Sequence, residues 1–255
     1  MHSKGLPHIH QPDLKNNGKV SFPQAIMSTA GVIMTQKRNS KEAVGCVRTF
    51  SYKVYPSIPE TSTEKTAGKK MQKEPIFVVN QRPIPCKESC KTRLDLHCFD
   101  PALGEAEVME FYVKSQDICS CSCEEVMQVD TVRPNGTKKS LGKIVTGPGC
   151  DDQVFKVYDT SGTVVFSLIG GVNCKNCCSV IKFDFYKGLR EQKLENQLIR
   201  YPKADWLSDK GIYEITFPKK TSYEQRCLCL ALAIMVDLEV FQRNGSHPGQ
   251  YGALK

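Results

Sequence analysis

A run of ten consecutive apolar residues near the carboxyl end, 227–236, constrains the fold of this chain more than any other feature. A helix predicted over 222–241 contains this run, and a helix that is apolar on every side must be buried in a large core or in a membrane. A bilayer span needs about 20 apolar residues, whereas Arg226 and Asp237 place charges at both ends of this run. We therefore expect a buried core helix, and a re-entrant or interfacial segment is the alternative.

The start of this helix has its own sequence signal. Thr221-x-x-Glu224 has the spacing of a capping box, in which the two side chains satisfy backbone N–H groups at the first turn. The residues that would line the core, or contact lipid in the alternative, are Leu228, Leu230, Leu232, Ile234 and Val236.

Short segments with strand patterns precede the helix. At 180–187, apolar Ile181, Phe183 and Phe185 alternate with polar residues, and Tyr213, Ile215 and Phe217 repeat the pattern. The other predicted strands cover 76–79, 108–113, 125–129, 153–159 and 164–169, with turn signals at Asn135-Gly136 and at 160–163. Several short strands separated by turns predict a mainly β fold, an antiparallel sheet or barrel.

Charge divides the 255 residues into two parts. Residues 1–74 contain 12 Lys and Arg against 5 Asp and Glu, so most of the net charge of +8 belongs to them. They lack sustained periodicity, and we expect a largely disordered basic tail and linker over 1–74, a folded domain over 75–243 and a second disordered tail over 244–255. The basic tail suggests contact with an anionic membrane surface, with a merely solubilising tail as the alternative. Its short basic clusters disfavour nucleic acid.

Thirteen cysteines require an explanation. Residues 1–22 contain no apolar leader, so we expect reduced thiols rather than disulfides. Reduced cysteines in this number indicate metal binding, lipid attachment or burial. Cys121 and Cys123 together with Cys174 and Cys177 offer four thiolates, which is the ligand set of a structural zinc site.

Five segments, in order, resemble the phospholipid scramblases. They are a cysteine cluster and acidic strand at 119–129, a turn and glycine-containing strand at 134–144, a hairpin at 157–170, a second cysteine cluster and apolar strand at 174–185, and a Phe-Pro turn with the apolar helix at 217–241. The resemblance implies a tubby-like antiparallel β-barrel around a hydrophobic carboxyl-terminal α-helix. The family's opening strands are not evident in residues 1–74, so an incomplete barrel remains an alternative.

The resemblance also implies function. It points to ATP-independent, bidirectional movement of phospholipids between leaflets by a membrane-associated protein at the cytosolic face, with the plasma membrane as the expected location. In the family the cluster that corresponds to Cys119, Cys121 and Cys123 carries palmitate, and the loop before the helix is the proposed Ca²⁺ site. Here that loop offers Asp205, Asp209 and Glu214, the oxygen ligands that Ca²⁺ prefers.

Two observations limit this interpretation. Lys219 and Lys220 follow the Phe-Pro turn, where ammonium groups would oppose a divalent cation. A single short helix provides no polar path for a headgroup through hydrocarbon, so transport would need a homo-oligomer or a thinned bilayer. The alternative is a tubby-like lipid- or protein-binding adaptor without transport. No arrangement of catalytic side chains is evident, so we expect a protein that is not an enzyme.

Overall fold

The computed structural model describes residues 21–38, 50–57, 74–81, 93–104, 106–115, 125–147, 153–171, 180–201 and 211–242. Within these residues, twelve strands form one closed antiparallel barrel, and a carboxyl-terminal helix lies inside it. The protein is therefore mainly β, with a tubby-like barrel around a helix, as the sequence predicts.

The strands and helices have the following bounds. The strands are β1 (Gly31–Arg38), β2 (Phe50–Pro56), β3 (Phe77–Gln81), β4 (Arg93–Asp100), β5 (Ala106–Ser115), β6 (Glu125–Val132), β7 (Lys138–Gly147), β8 (Gln153–Tyr158), β9 (Val164–Gly170), β10 (Ile181–Lys187), β11 (Gln192–Tyr201) and β12 (Ile212–Thr216). The helices are α1 (Phe22–Ser28) and α2 (Tyr223–Val236); a short 3₁₀ turn covers Pro101–Leu103, and a π-helical turn, Asp237–Gln242, continues α2.

Each strand pairs with its neighbours in the sequence, and β1 closes the ring by pairing with both β2 and β12. In the closing ladder, Val32 lies opposite Ile215 and Met34 lies opposite Tyr213. Closure leaves no unpaired strand edge at the seam, which removes the usual route to edge-to-edge aggregation. The wall is complete, so the alternative of an incomplete barrel is wrong.

The wall follows the alternation predicted from the sequence. On β10, Ile181, Phe183 and Phe185 are buried while Lys182 is exposed, and on β12 Tyr213 and Ile215 point into the core. The predicted hairpins are also present. Asn135-Gly136 forms the turn between β6 and β7, and 159–163 joins β8 to β9.

Helix α2 fills the interior of the barrel. All ten residues of the apolar run are at most 1% exposed, which confirms the prediction of a buried core helix. Among the residues that the structure describes, no helix combines the length and apolarity needed to span a bilayer.

The predicted capping box of α2 is displaced by one residue. Ser222 is the N-cap: its hydroxyl accepts a hydrogen bond from the N–H of Gln225, and the Gln225 side chain accepts one from the N–H of Ser222. Thr221 instead donates its hydroxyl proton to the carbonyl of Pro218. The pattern of residue types therefore located the helix start, but the register depends on the turn before it.

The predicted domain boundary at residue 75 is wrong, because α1, β1 and β2 all lie before it. A helix that is apolar on every side needs cover on every side, and without β1 and β2 a gap would separate β3 from β12. The disordered tail predicted over 1–74 therefore cannot include 21–38 or 50–57. Residues 1–20, 58–73 and 243–255, including the second predicted tail, lie outside the described residues.

Helix α1 covers the barrel end at which α2 begins. Phe22 is fully buried, stacks on Phe77 with ring centroids 4.6 Å apart, and meets the ring of Tyr223 edge-on. Its backbone N–H donates to the buried carboxylate of Asp100 at 2.7 Å. The side chain of Asp100 therefore holds the first turn of α1 against the barrel.

The enclosed position of α2 predicts a large difference between two leucines. Leu230→Ala removes a fully buried side chain from α2 and should lower the free energy of unfolding by about 2–5 kcal/mol. Leu189→Ala, at a side chain that is 59% exposed, should change it by less than about 0.5 kcal/mol. Urea unfolding followed by circular dichroism measures both, and similar small effects would contradict burial of α2 in the barrel.

Candidate functional site

At one end of the barrel most of the connecting turns belong to the described residues, and at the other end most of them do not. The end where α2 begins, here called the turn end, contains the tight turns 133–137, 159–163 and 188–191 and the loop 217–222. Helix α1 lies at this same end. Because neighbouring strands are antiparallel, the connections along the chain alternate between this end and the opposite rim of the barrel.

Most of the predicted site residues belong to segments that join strands at the opposite rim. The segments 116–124 (between β5 and β6), 172–179 (between β9 and β10) and 202–210 (between β11 and β12) lie outside the described residues. They contain Cys119, Cys121, Cys123, Cys174, Cys177, Asp205 and Asp209. The lipidation and zinc assignments therefore stay predictions.

Glu214 is the one predicted Ca²⁺ ligand among the described residues. It lies on β12, partly buried, and accepts a hydrogen bond from the hydroxyl of Tyr201. Among the described residues, no group of three or more His, Cys, Asp or Glu side chains is placed to hold a metal ion. The Ca²⁺ site also stays a prediction.

A buried carboxylate follows α2 directly. Asp237 is completely buried, and its oxygens accept hydrogen bonds from Nε2 of Gln36 at 2.6 Å, from the hydroxyl of Tyr52 at 2.8 Å and from the hydroxyl of Tyr213. The three donors come from β1, β2 and β12, the strands at the seam. These four residues, here called the Asp237 network, therefore connect the end of the central helix to the closure of the barrel.

The protonation of the two phenols supports this network. Burial, followed by the charge of the nearby Asp237 carboxylate, raises the pKa of Tyr52 and of Tyr213 well above the usual value. Both hydroxyls therefore keep their protons and remain donors. Close to Tyr213, the guanidinium of Arg200 lies 3.9 Å from the ring centre of Phe241.

Arg226 joins α2 to α1. Its Nη1 donates to the carbonyl oxygens of Ile26 at 2.6 Å, Met27 at 3.2 Å and Thr29 at 2.7 Å, and its Nε donates to the hydroxyl of Thr221 at 3.2 Å. These carbonyls lie at the carboxyl end of α1, where backbone acceptors lack partners within the helix. In the sequence, Arg226 only marks the start of the apolar run. In the structure, its side chain connects α2 to α1.

The turn end also contains an open cleft of about 770 Å³. The turn after β10 and the start of β11 form one wall, and the loop before α2 forms the other. Its basic lining residues are Lys187, Lys193, Lys219 and Lys220, and Glu191 and Glu195 are its acidic ones. Sequence reasoning missed this cleft, because its two walls are about 25 residues apart in the chain.

Three cysteines among the described residues are buried reduced thiols. Cys98 lies on β4, and Cys227 and Cys229 lie on α2. Burial raises the pKa of each thiol, that of Cys229 to about 12. A thiol is a poor nucleophile and metal ligand until it loses its proton, so these three have a packing role.

No protein-family model, curated protein sequence or solved structure matches this chain. The geometry defines the class of protein as a closed tubby-like barrel with an enclosed helix.

The Asp237 network predicts a strong effect of a nearly isosteric substitution. Asp237→Asn would turn an amide donor toward groups that are themselves donors, so the free energy of unfolding should fall by about 3 kcal/mol. Tyr52→Phe, which removes one donor, should cost about 1–3 kcal/mol. Urea unfolding measures both effects. The control is Glu195→Gln at an exposed carboxylate, and an Asp237→Asn effect as small as this control would contradict the network.

The buried thiols predict a loss of stability at alkaline pH. The pKa of Cys229 is about 12 in the folded protein and about 8.5 in an unfolded chain. Its contribution is therefore complete below pH 8.5, and above that it falls by about 1.4 kcal/mol per pH unit as the unfolded state loses its proton first. From pH 9 to 10.5, in reductant, unfolding free energy should fall more steeply for the native chain than for Cys229→Ala. Parallel curves would show that this thiol does not titrate differently on unfolding.

Proposed function

We propose that this protein is a membrane-associated adaptor that binds anionic phospholipid surfaces and does not itself carry lipid between leaflets. One observation carries the proposal: α2, the apolar segment that could have entered a bilayer, is enclosed by a closed wall of strands. To expose it, the barrel would have to lose the hydrogen bonds of at least one strand pair and its own core. Membrane contact is therefore a property of the outer surface.

Two sequence features support attachment to the cytosolic face of a membrane. The basic residues of 1–74 that lie outside α1, β1 and β2 would be attracted to anionic lipid, each contributing about 1 kcal/mol close to the surface. Thioesters at Cys119, Cys121 and Cys123 would add acyl chains, and stable attachment takes two such signals. The proposed role is binding rather than catalysis.

Phospholipid scrambling is the second candidate. It is supported because the described parts of the segments that resemble the scramblases are strands, turns and the helix of the barrel, including the Phe217-Pro218 turn before α2. A headgroup crossing hydrocarbon needs a polar path, and the interior of one barrel is filled by α2 and the apolar side chains around it. Scrambling would therefore need several copies of the chain or a locally thinned bilayer.

Ca²⁺ regulation belongs with this second candidate. Its ligands would be Asp205, Asp209 and Glu214, of which Glu214 already accepts a hydrogen bond from Tyr201. Lys219 and Lys220, which lie at the turn end, would repel a divalent cation held close to them.

Two assays on the purified full-length chain separate the candidates. In sedimentation with vesicles, we expect binding to phosphatidylcholine vesicles that contain about 30% phosphatidylserine, little binding to pure phosphatidylcholine, and release at high salt because screening weakens charge attraction. In reconstituted liposomes, we expect no acceleration of leaflet exchange of a fluorescent phospholipid, with or without Ca²⁺.

The two assays fail in different ways. Equal, weak sedimentation with both vesicle types would overturn the adaptor proposal. Faster leaflet exchange in the liposomes would instead support scrambling, and dependence of that rate on added Ca²⁺ would support the metal site. Heat-inactivated protein is the control for leakage.

A further inference from the structure

We infer that the turn end is the face of the barrel that contacts an anionic phospholipid bilayer. Leu189 would enter the interfacial region, and the lysines of the adjacent cleft would contact headgroup phosphates. This inference rests on the proposed membrane binding and specifies the surface that performs it.

Leu189 is the most exposed large hydrophobic side chain among the described residues. It is 59% exposed and lies at the tip of the turn between β10 and β11. The turn is held from below by Ser167, whose hydroxyl donates to the carbonyl of Gly188 at 2.8 Å and accepts from the N–H of Arg190 at 3.3 Å. Arg190 itself has a φ of 63°, a left-handed conformation that costs energy for a residue with a side chain. The turn therefore holds the apolar side chain of Leu189 in solvent, next to the positively charged Arg190.

A second exposed apolar side chain lies at the same end. Met27 on α1 is 44% exposed, and α1 is held to α2 by Arg226. Val180, the remaining exposed large hydrophobic residue among those described, precedes β10 at the opposite rim. Val180 therefore offers a matched comparison for Leu189.

Cations surround the apolar tip. The four lysines of the cleft and Arg190 make five cations, against Glu191, Glu195 and Asp184. Lys193 pairs with Asp184 at 2.6 Å, whereas Lys219 lies 3.5 Å from Glu195 with both side chains almost fully exposed, where an ion pair contributes little. The excess of positive charge lies beside the loop 217–222 and the turn 188–191.

This combination fits a bilayer surface. Exposed lysines on flexible stems suit a surface of many phosphates, and a single apolar side chain at the tip of a turn suits the headgroup–acyl boundary. The cleft is open rather than enclosed, and positive charge around the tip complements anionic lipid.

Variants of the full-length, non-acylated chain test the assignment. Partition onto vesicles with about 30% phosphatidylserine is measured by sedimentation. Lys219→Gln with Lys220→Gln should weaken partition by about 25-fold, since each lysine near an anionic surface contributes on the order of fivefold. Leu189→Ser should weaken it about tenfold.

Matched controls change the same chemistry elsewhere on the barrel. Lys53→Gln with Lys182→Gln removes the charge of two exposed lysines on the side wall, and Val180→Ser removes the exposed apolar side chain at the opposite rim. Each should change partition less than about threefold. Unfolding in urea verifies that every variant is folded.

The outcomes separate this inference from the proposed function. If the native chain does not bind the vesicles, the proposed function fails. If it binds and the turn-end variants bind equally well, or lose no more than their controls, this surface is wrong and the proposed function stands. Loss of binding only when Lys4, Lys15 and Lys19 are replaced would assign contact to residues 1–20. A change in oligomeric state for Leu189→Ser, measured by analytical ultracentrifugation, would assign the tip to a second copy of the chain and overturn the inference.

Discussion

The fold depends on the need to cover α2 on every side. Ten adjacent apolar residues cannot face water on any helix face, so no single sheet and no half-barrel would suffice. The twelve strands supply that cover, and each pairs only with its sequence neighbours except where β1 meets β12. That one pairing between distant parts of the chain completes the structure. It also explains why the Asp237 network lies where it does, because the network ties the end of α2 to the three strands at the seam.

Among the described residues, Asp100 and Asp237 are carboxylates that are at most 1% exposed, and both accept hydrogen bonds. Asp237 accepts three hydrogen bonds inside the barrel, and Asp100 accepts from the N–H of Phe22 and of Ala102 beneath α1. Arg226 donates to three carbonyls at the other end of α1. A buried charge without such partners would be strongly destabilising. The Asp237 network therefore links α2 to the strands that close the barrel, and the contacts of Asp100 and Arg226 hold α1 over the end of the barrel.

Much of the fold could be predicted from the sequence because the signals were local. The alternation on β10 and β12, the turn at Asn135-Gly136 and the uniform apolarity of α2 each appear within about ten residues. β1 was missed because Gly31, Val32, Ile33 and Met34 are all buried, which hides the period-two pattern that marks a half-exposed strand. β2 does alternate, with Tyr52 and Val54 buried around Lys53, but it lies between segments whose composition resembles a linker.

The candidate site was harder to predict, because it depends on pairs of segments that meet only in the folded barrel. In the sequence, Lys219 and Lys220 were interpreted as charges that repel Ca²⁺. In the structure they line the cleft beside the turn that contains Leu189, where we infer that they contact phospholipid headgroups. The cysteine clusters are evident in the sequence, and the strands assign their segments to the opposite rim. Acyl chains at that rim would attach the barrel by its other end, so contact through the turn end is expected of the non-acylated chain.

We expect α2 to stay in the core of the barrel both in solution and on a membrane. Native-state hydrogen exchange of residues 223–236 tests it most directly, because core amides exchange only through global unfolding. We expect α2 and the strands of the barrel to exchange together, with opening free energies near that of global unfolding, in the absence and in the presence of bound vesicles. If the strands exchange faster on vesicles while α2 stays protected, this expectation is wrong, because that pattern would mean that the helix has left the barrel for the bilayer.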